Sequence, residues 1–282
     1  LLFGPSTVDS GPYAGTYTAF QNVPDPNCIA NKGILIPQAS GSRCGFKYGP
    51  RFNIVNDEDH DQLYVSLKTA LTSGVNAELD YLKADTKVYD NPQSPSYPAL
   101  SYLSPANAIA PGKGGNPFGV PVLWLGRPLA SAFPSPFAPR EIEMERVSFG
   151  LAGTFDNGFD WNFDMTRSAE DNYARQPDTG TSKLAAAIDG RGGPSGNETF
   201  DLFNPTANSQ TLRDWLRSDQ ETWTNVVLSV VDFVMSGEVG GIDLAAGAQQ
   251  RREKYDITRS PNSIVEFDAA GNLTKPADMI FL

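Results

Sequence analysis

Between Gln62 and Tyr81 the sequence alternates apolar and polar residues along two arms joined by a short turn. On the first arm Leu63, Val65, Leu67, Thr69 and Leu71 share one face, and Gln62, Tyr64, Ser66, Lys68 and Ala70 the other. Thr72-Ser73-Gly74 supplies turn chemistry, and the second arm sets Val75, Ala77, Leu79 and Tyr81 against Asn76, Glu78 and Asp80. A period of two means strands with one apolar and one wet face, where a helix would repeat every ~3.6 residues. The short Gly-containing connection predicts an antiparallel hairpin. Arms of about ten residues are also long enough to cross a bilayer when tilted.

The pattern recurs twice. Val147, Phe149, Leu151, Gly153 and Phe155 oppose Arg146, Ser148, Gly150, Ala152 and Thr154. After the hairpin signal Asp156-Asn157-Gly158, Phe159, Trp161, Phe163 and Met165 oppose Asp160, Asn162, Asp164 and Thr166. The third hairpin begins at Trp223. Its first arm is Val/Leu-rich on both sides, Val227, Ser229, Val231, Phe233 and Met235 against Val226, Leu228, Val230, Asp232 and Val234, so its faces stay ambiguous. Gly237 to Gly241 is expected to turn the chain. The return arm then sets Ile242, Leu244, Ala246 and Ala248 against Asp243, Gly247, Gln249 and Arg251.

These readings place hairpins at 52–89, 142–169 and 222–256, and long loops at 1–50, 90–141, 170–221 and 257–282. The turns near Ser73, Asn157 and Val239 are short, and the connections at the other end are long. Bacterial outer-membrane barrels show that asymmetry, with short periplasmic turns and long extracellular loops. The expected fold is therefore all-β, an antiparallel transmembrane β-barrel segment of about six long strands. The lipid face would carry Leu63, Val65, Leu67, Leu79, Phe149, Leu151, Trp161, Phe163 and Leu244. Glu78, Asp80, Asp160, Asn162, Asp164, Asp243 and Arg251 would face the lumen. Within the loops, a short helix is expected from Ser209 to Leu216, where Leu212, Trp215 and Leu216 share a face.

Composition agrees with this reading. No run approaches ~18 apolar residues, which excludes a spanning helix but not spanning strands. The 26 glycines and 22 prolines suit turns and loops rather than a helical bundle. A net charge of −11 argues against nucleic acid as a partner, because phosphate binding wants a basic face. Cys28 and Cys44 lie in a Gly/Pro/Asn-rich segment without Cys-x-x-Cys spacing, and the chain has one histidine, so a zinc site does not fit. A loop disulfide in an oxidising compartment fits best, against two unrelated free thiols. The chain opens on Leu1-Leu2-Phe3-Gly4 and ends on Met279-Ile280-Phe281-Leu282, which is expected of a portion of a longer polypeptide.

Catalytic chemistry finds little support. His60 sits in the run Asp57-Glu58-Asp59-His60-Asp61, with no nucleophile elbow near any serine. The acidic run lacks the spacing and central Gly of an EF-hand loop. Gly112-Lys113-Gly114-Gly115 lacks P-loop spacing and reads as a turn. No catalytic residue, metal or cofactor is expected. Trp124, Arg127, Phe133 and Phe137 are the loop residues able to grip a ligand by stacking or charge, against the plainer reading that they pack within their own loop.

Three stretches carry a family resemblance. The first runs from Tyr48 to Tyr97, an acidic-led strand, a turn and a second strand leading into Asn91-Pro92 and Ser94-Pro95-Ser96-Tyr97. The second is Asp201-Leu202-Phe203-Asn204-Pro205-Thr206-Ala207-Asn208-Ser209, followed by Leu212-Arg213-Asp214-Trp215. The third begins at Ser236-Gly237-Glu238 and runs through Leu244-Ala245-Ala246-Gly247-Ala248 to Arg252-Glu253. In these stretches the chain resembles a TonB-dependent receptor of the outer membrane, where a disulfided loop is also common.

The resemblance implies a 22-stranded barrel closed around an N-terminal plug, in the outer membrane of a Gram-negative bacterium. The extracellular loops would catch a scarce ligand, and the TonB energy-coupling complex would drive its transport through a short N-terminal box. The implied partners are outer-membrane lipid, the plug and remaining barrel strands, that complex, and an extracellular ligand. Neither plug nor box is in this sequence, nor the aromatic-terminated last strand of such barrels, so a central portion is expected. The alternative is a soluble extracellular β-sandwich binding carbohydrate or protein, its apolar faces meeting each other.

Overall fold

The computed structural model of the chain describes residues 1–129 and 132–280. Two small hairpins come first, β1 (Ser6–Val8) with β2 (Gly15–Tyr17) and β3 (Ile34–Gln38) with β4 (Gly41–Gly45). The long strands are β5 (Glu58–Thr72), β6 (Val75–Val88), β7 (Arg140–Thr154), β8 (Asp160–Gln176), β9 (Gln220–Val239) and β10 (Ile242–Arg259). Between β8 and β9 lie two helices, α1 (Thr181–Ile188) and α2 (Gln210–Leu216). A last hairpin, β11 (Glu266–Phe267) with β12 (Leu273–Lys275), follows β10.

The six long strands form one antiparallel sheet in simple chain order, β10-β9-β8-β7-β6-β5. The fold is thus mostly β, as the alternation predicts. Within each hairpin (β5–β6, β7–β8, β9–β10) the short turn leaves its two strands no other partner, while β6 pairs with β7 and β8 with β9 across long connections. Strands β5 and β10 pair on one side only, which leaves the sheet open among the described residues. The other sheets are the three small hairpins. Among the described residues there is no second large sheet of the kind a β-sandwich would need.

The hairpin limits differ from the sequence reading. Val239 still belongs to β9, and the turn is Gly240-Gly241 alone, with φ of 61° and 81°. Two residues in the left-handed region complete a tight hairpin, so Gly237 and Glu238 remain free to pair with Leu244 and Asp243. The segment at 52–57 is not strand, and β5 begins at Glu58. Strand β8 runs on to Gln176, beyond the expected end at 169, although its last residues do not alternate. Backbone pairing with β7 on one side and β9 on the other holds them extended.

No residue of the six long strands is buried. The core lies instead at the end of the sheet away from the turns, where the long connections meet. Phe200, Leu216, Leu184, Leu212 and Leu2 are its most enclosed side chains. Burying each such residue stabilises by about 1.5–3 kcal/mol, enough to order a cap of long connections. Tyr13, Phe118 and Phe203 add edge-to-face contacts at 5.6 to 6.1 Å.

Residues 1–50 are therefore more than a surface loop. Leu2 bridges to Val122, and Leu2 and Tyr13 join the core. The Cys28–Cys44 disulfide is formed and closes a 16-residue separation, worth ~3 kcal/mol in the loop-entropy model. Helix α2 forms as expected, with Ser209 Oγ accepting from the Leu212 amide at 3.0 Å as its cap. Helix α1 carries Leu184, Ala187 and Ile188 into the same core, with the Asp278 carboxylate accepting from the Ser182 amide at its start.

Candidate functional site

Directly paired residues in a sheet lie on the same face, so the register sorts every side chain. Leu67, Leu79, Phe149, Met165 and Val231 form one row across β5 to β9. Thr69, Ala77, Leu151, Phe163, Phe233 and Ala248 form the next row toward the turns. All nine residues expected on the lipid face fall on this one face, Leu244 included through its pairing with Gly237. The ambiguous arm is also decided. Phe233 pairs with Phe163, so Val231, Phe233 and Met235 join the apolar face and Val230, Asp232 and Val234 the other.

The apolar belt runs obliquely across the strands. On β5 it ends at Leu63, below Asp61, whereas on β10 it ends at Ala248. In register, Leu63 stands level with Lys254. The edge therefore drops about 20 Å along β10 over strand spacings that sum to about 24 Å, a slope of roughly 40°. From Leu63 to Leu71 the belt is about 27 Å long along the strand, or ~21 Å measured perpendicular to its edges. At the turn end Phe155 and Trp161 lie 5.8 Å apart, and Trp161 rests on Gly153, where a Cβ would come within 2.9 Å of its ring. At the other end stands an acidic row of Asp61, Asp85, Glu143, Asp171 and Asp256. The belt is bare: Leu67 is 59% and Leu244 50% exposed.

The opposite face is polar and internally paired. Lys68 meets Glu78 at 2.7 Å, the Tyr64 hydroxyl donates to Asp80 at 2.7 Å, and Gln249 donates to Asp232 at 2.6 Å. Lys68, Asn76, Glu78, Asn162 and Asp164 line a groove of about 400 Å³, floored by Ala70, Gly150 and Ala152. Gly150 leaves room for Asp164, whose Oδ1 would lie 2.8 Å from an added Cβ.

Of the four loop residues expected to grip a ligand, Trp124, Arg127 and Phe133 make side-chain contacts within the cap. Trp124 and Phe133 pack against the core, and the Arg213 guanidinium lies 4.8 Å from the Phe133 ring centre. Phe137 is exposed and bridges to Pro92. Arg127 donates to Ser94 Oγ at 3.2 Å, to the Ser96 carbonyl and to the Tyr48 hydroxyl, and stacks 4.3 Å from the Phe46 ring centre. Burial pulls its pKa below the usual arginine value. Burial likewise pushes Tyr102 up to about 12.

Arg127 thus ties three separate stretches of chain together. Replacing it with Ala should loosen the cap by about 1.5–3 kcal/mol, as for hydrogen bonds to a charged group. Protease sensitivity of residues 89–139 reads this directly, and unchanged sensitivity would return Arg127 to the list of free ligand contacts.

His60 hydrogen-bonds Thr86 Oγ1 and Glu58 Oε2, both at 3.1 Å. Among the described residues no three His, Cys, Asp or Glu side chains converge as a metal site would require. Register was the signal missing from the sequence: it alone reveals the belt's slope and the row above it. No known family model matches the chain, and no curated protein is similar to it.

Proposed function

We propose that the chain is the central barrel portion of a TonB-dependent receptor, taking up a scarce extracellular ligand across an outer membrane. The observation that carries this reading is the bare, oblique apolar belt. Strands of membrane barrels tilt by about 35–45° and present an apolar band about 25 Å tall, rimmed by aromatics. The belt slopes by a similar angle, is of similar height, and has Phe155 and Trp161 at its turn-end edge. Closing a sheet into any barrel staggers its strands in this way, and what favours lipid here is that the staggered apolar rows are bare.

The remaining features have places in the same scheme. The single-sided edges of β5 and β10 accept the neighbouring barrel strands. The paired polar face meets the plug or water, and the cap of long connections faces outward to catch ligand. No helix among the described residues is long and apolar enough to cross a membrane; in this reading the strands cross it.

Extraction tests the proposal. The full-length protein, fractionated from a Gram-negative host, is expected in the outer membrane, resistant to high salt and alkaline washing, and released by detergent. Recovery of folded protein in the soluble fraction without detergent rejects the reading.

A further inference from the structure

Above the belt's edge on β8 and β10, on the same face, Arg167, Ser229 and Arg252 stand side by side, with Gln250 between Ala248 and Arg252 on β10. Arg167 pairs with Ser229, and Ser229 pairs with Arg252. Two strand spacings put the arginine backbones about 10 Å apart, with the serine hydroxyl between them. Two guanidiniums reaching inward from that separation can both donate to one tetrahedral anion, and the hydroxyl adds a third donor.

Their surroundings make the pairing notable. The chain carries 33 acidic residues against 22 basic ones, and an acidic row runs across the same face. Other cations near it are matched, Lys83 with Asp85 at 3.5 Å and Lys254 with Asp256 at 2.6 Å. Among the described residues, Arg167 and Arg252 have no ion pair or side-chain hydrogen bond, and both are exposed. Met165 and Val231 lie directly beneath Arg167 and Ser229, so the donors adjoin apolar side chains of the belt, and Val227 continues that face above Ser229.

We propose that Arg167, Ser229 and Arg252 form a seat for the phosphate of a membrane lipid whose acyl chains lie along Met165, Val231 and Phe233. The proposal rests on the belt being in contact with lipid. Continuity with the belt selects a lipid phosphate over a free one, because an anion without chains would leave Met165 and Val231 bare. Ordering the lipid there would also fix the level at which the barrel sits in its membrane.

The test uses the full-length protein in phosphatidylcholine nanodiscs with and without phosphatidic acid, reading lipid retention by native mass spectrometry. The wild type should retain phosphatidic acid preferentially. At about fivefold for each arginine near an anionic surface, the double variant Arg167→Gln/Arg252→Gln should lose about twenty-five-fold of that preference. Ser229→Ala should lose a smaller share. Lys87→Gln, which removes a charge from the same face farther from the belt, should lose none.

An unchanged preference in the double variant overturns the seat, as does an equal loss in Lys87→Gln. Abolition of the preference by millimolar inorganic phosphate would assign the residues to a free anion and overturn the lipid. Failure of the membrane reading is a separate outcome, seen as protein that never incorporates into the discs. Failure of the seat alone leaves incorporation intact and lipid selectivity absent.

Discussion

Phe163→Arg is expected to remove the protein from the outer membrane, while Asn162→Arg, one residue away, leaves it there. Phe163 lies in the middle of the belt, flanked in register by Leu151 on β7 and Phe233 on β9. A guanidinium at that depth costs ~2–4 kcal/mol in a membrane barrel, because neither lipid tails nor neighbouring side chains can hydrate it. Asn162 points to the polar face, beside Asp164 in a groove open to water. A new arginine there meets carboxylates and solvent. Leu67→Arg and Ser66→Arg repeat the contrast on β5, where the two residues are likewise adjacent and opposed. The measurement is the fraction of each variant recovered in the outer membrane. Equal recovery for the two faces would remove the lipid assignment, since a uniformly solvated sheet would tolerate all four changes.

Phe200→Ala should act on the cap and leave the sheet alone. Phe200 has 0% of its surface exposed, and its amide donates to the Ala187 carbonyl at 2.9 Å, which joins the loop before α2 to helix α1. Truncating a buried Phe costs about 3–5 kcal/mol, from lost transfer energy and from the cavity left behind. The long strands contribute no buried residue to that core, so the loss stays local. The expected result is rapid proteolysis of residues 89–139 and 177–219 with membrane recovery at the wild-type level. A variant that lost the membrane as well would show that cap and sheet fold as one unit.

How much of this was legible in the sequence depended on the physics behind each feature. Leu63, Val65, Leu67 and Phe163 announced their face by alternation, because the two-residue repeat of a strand is a local property. Leu212, Trp215 and Leu216 announced α2 for the same reason, by sharing one face of a helix, and the structure adds the Ser209 hydroxyl as its cap. Helix α1 escaped notice because its short apolar set, Leu184, Ala187 and Ile188, becomes a face only when the core is there to receive it. The end of β8 escaped because Glu170 to Gln176 is extended by its neighbours on both sides, not by any pattern of its own. Trp124 and Phe133 stood open between gripping a ligand and packing within their own loop, and their packing against the core came only with Leu2 and the α-helices from distant parts of the chain.

Alternation and turn chemistry act within a few residues, so the sequence alone dictates six long amphipathic strands with tight turns at one end. It also determined which residues of five strands share the apolar face. The face of β9 came from pairing with β8, because a strand apolar on both sides takes its orientation from its partner. Register likewise decided the rest: how far each strand slides past the next set the belt's slope and brought Arg167, Ser229 and Arg252 into one row. Those residues lie far apart in the chain, and no local interaction relates them. Backbone pairing summed over whole strands does.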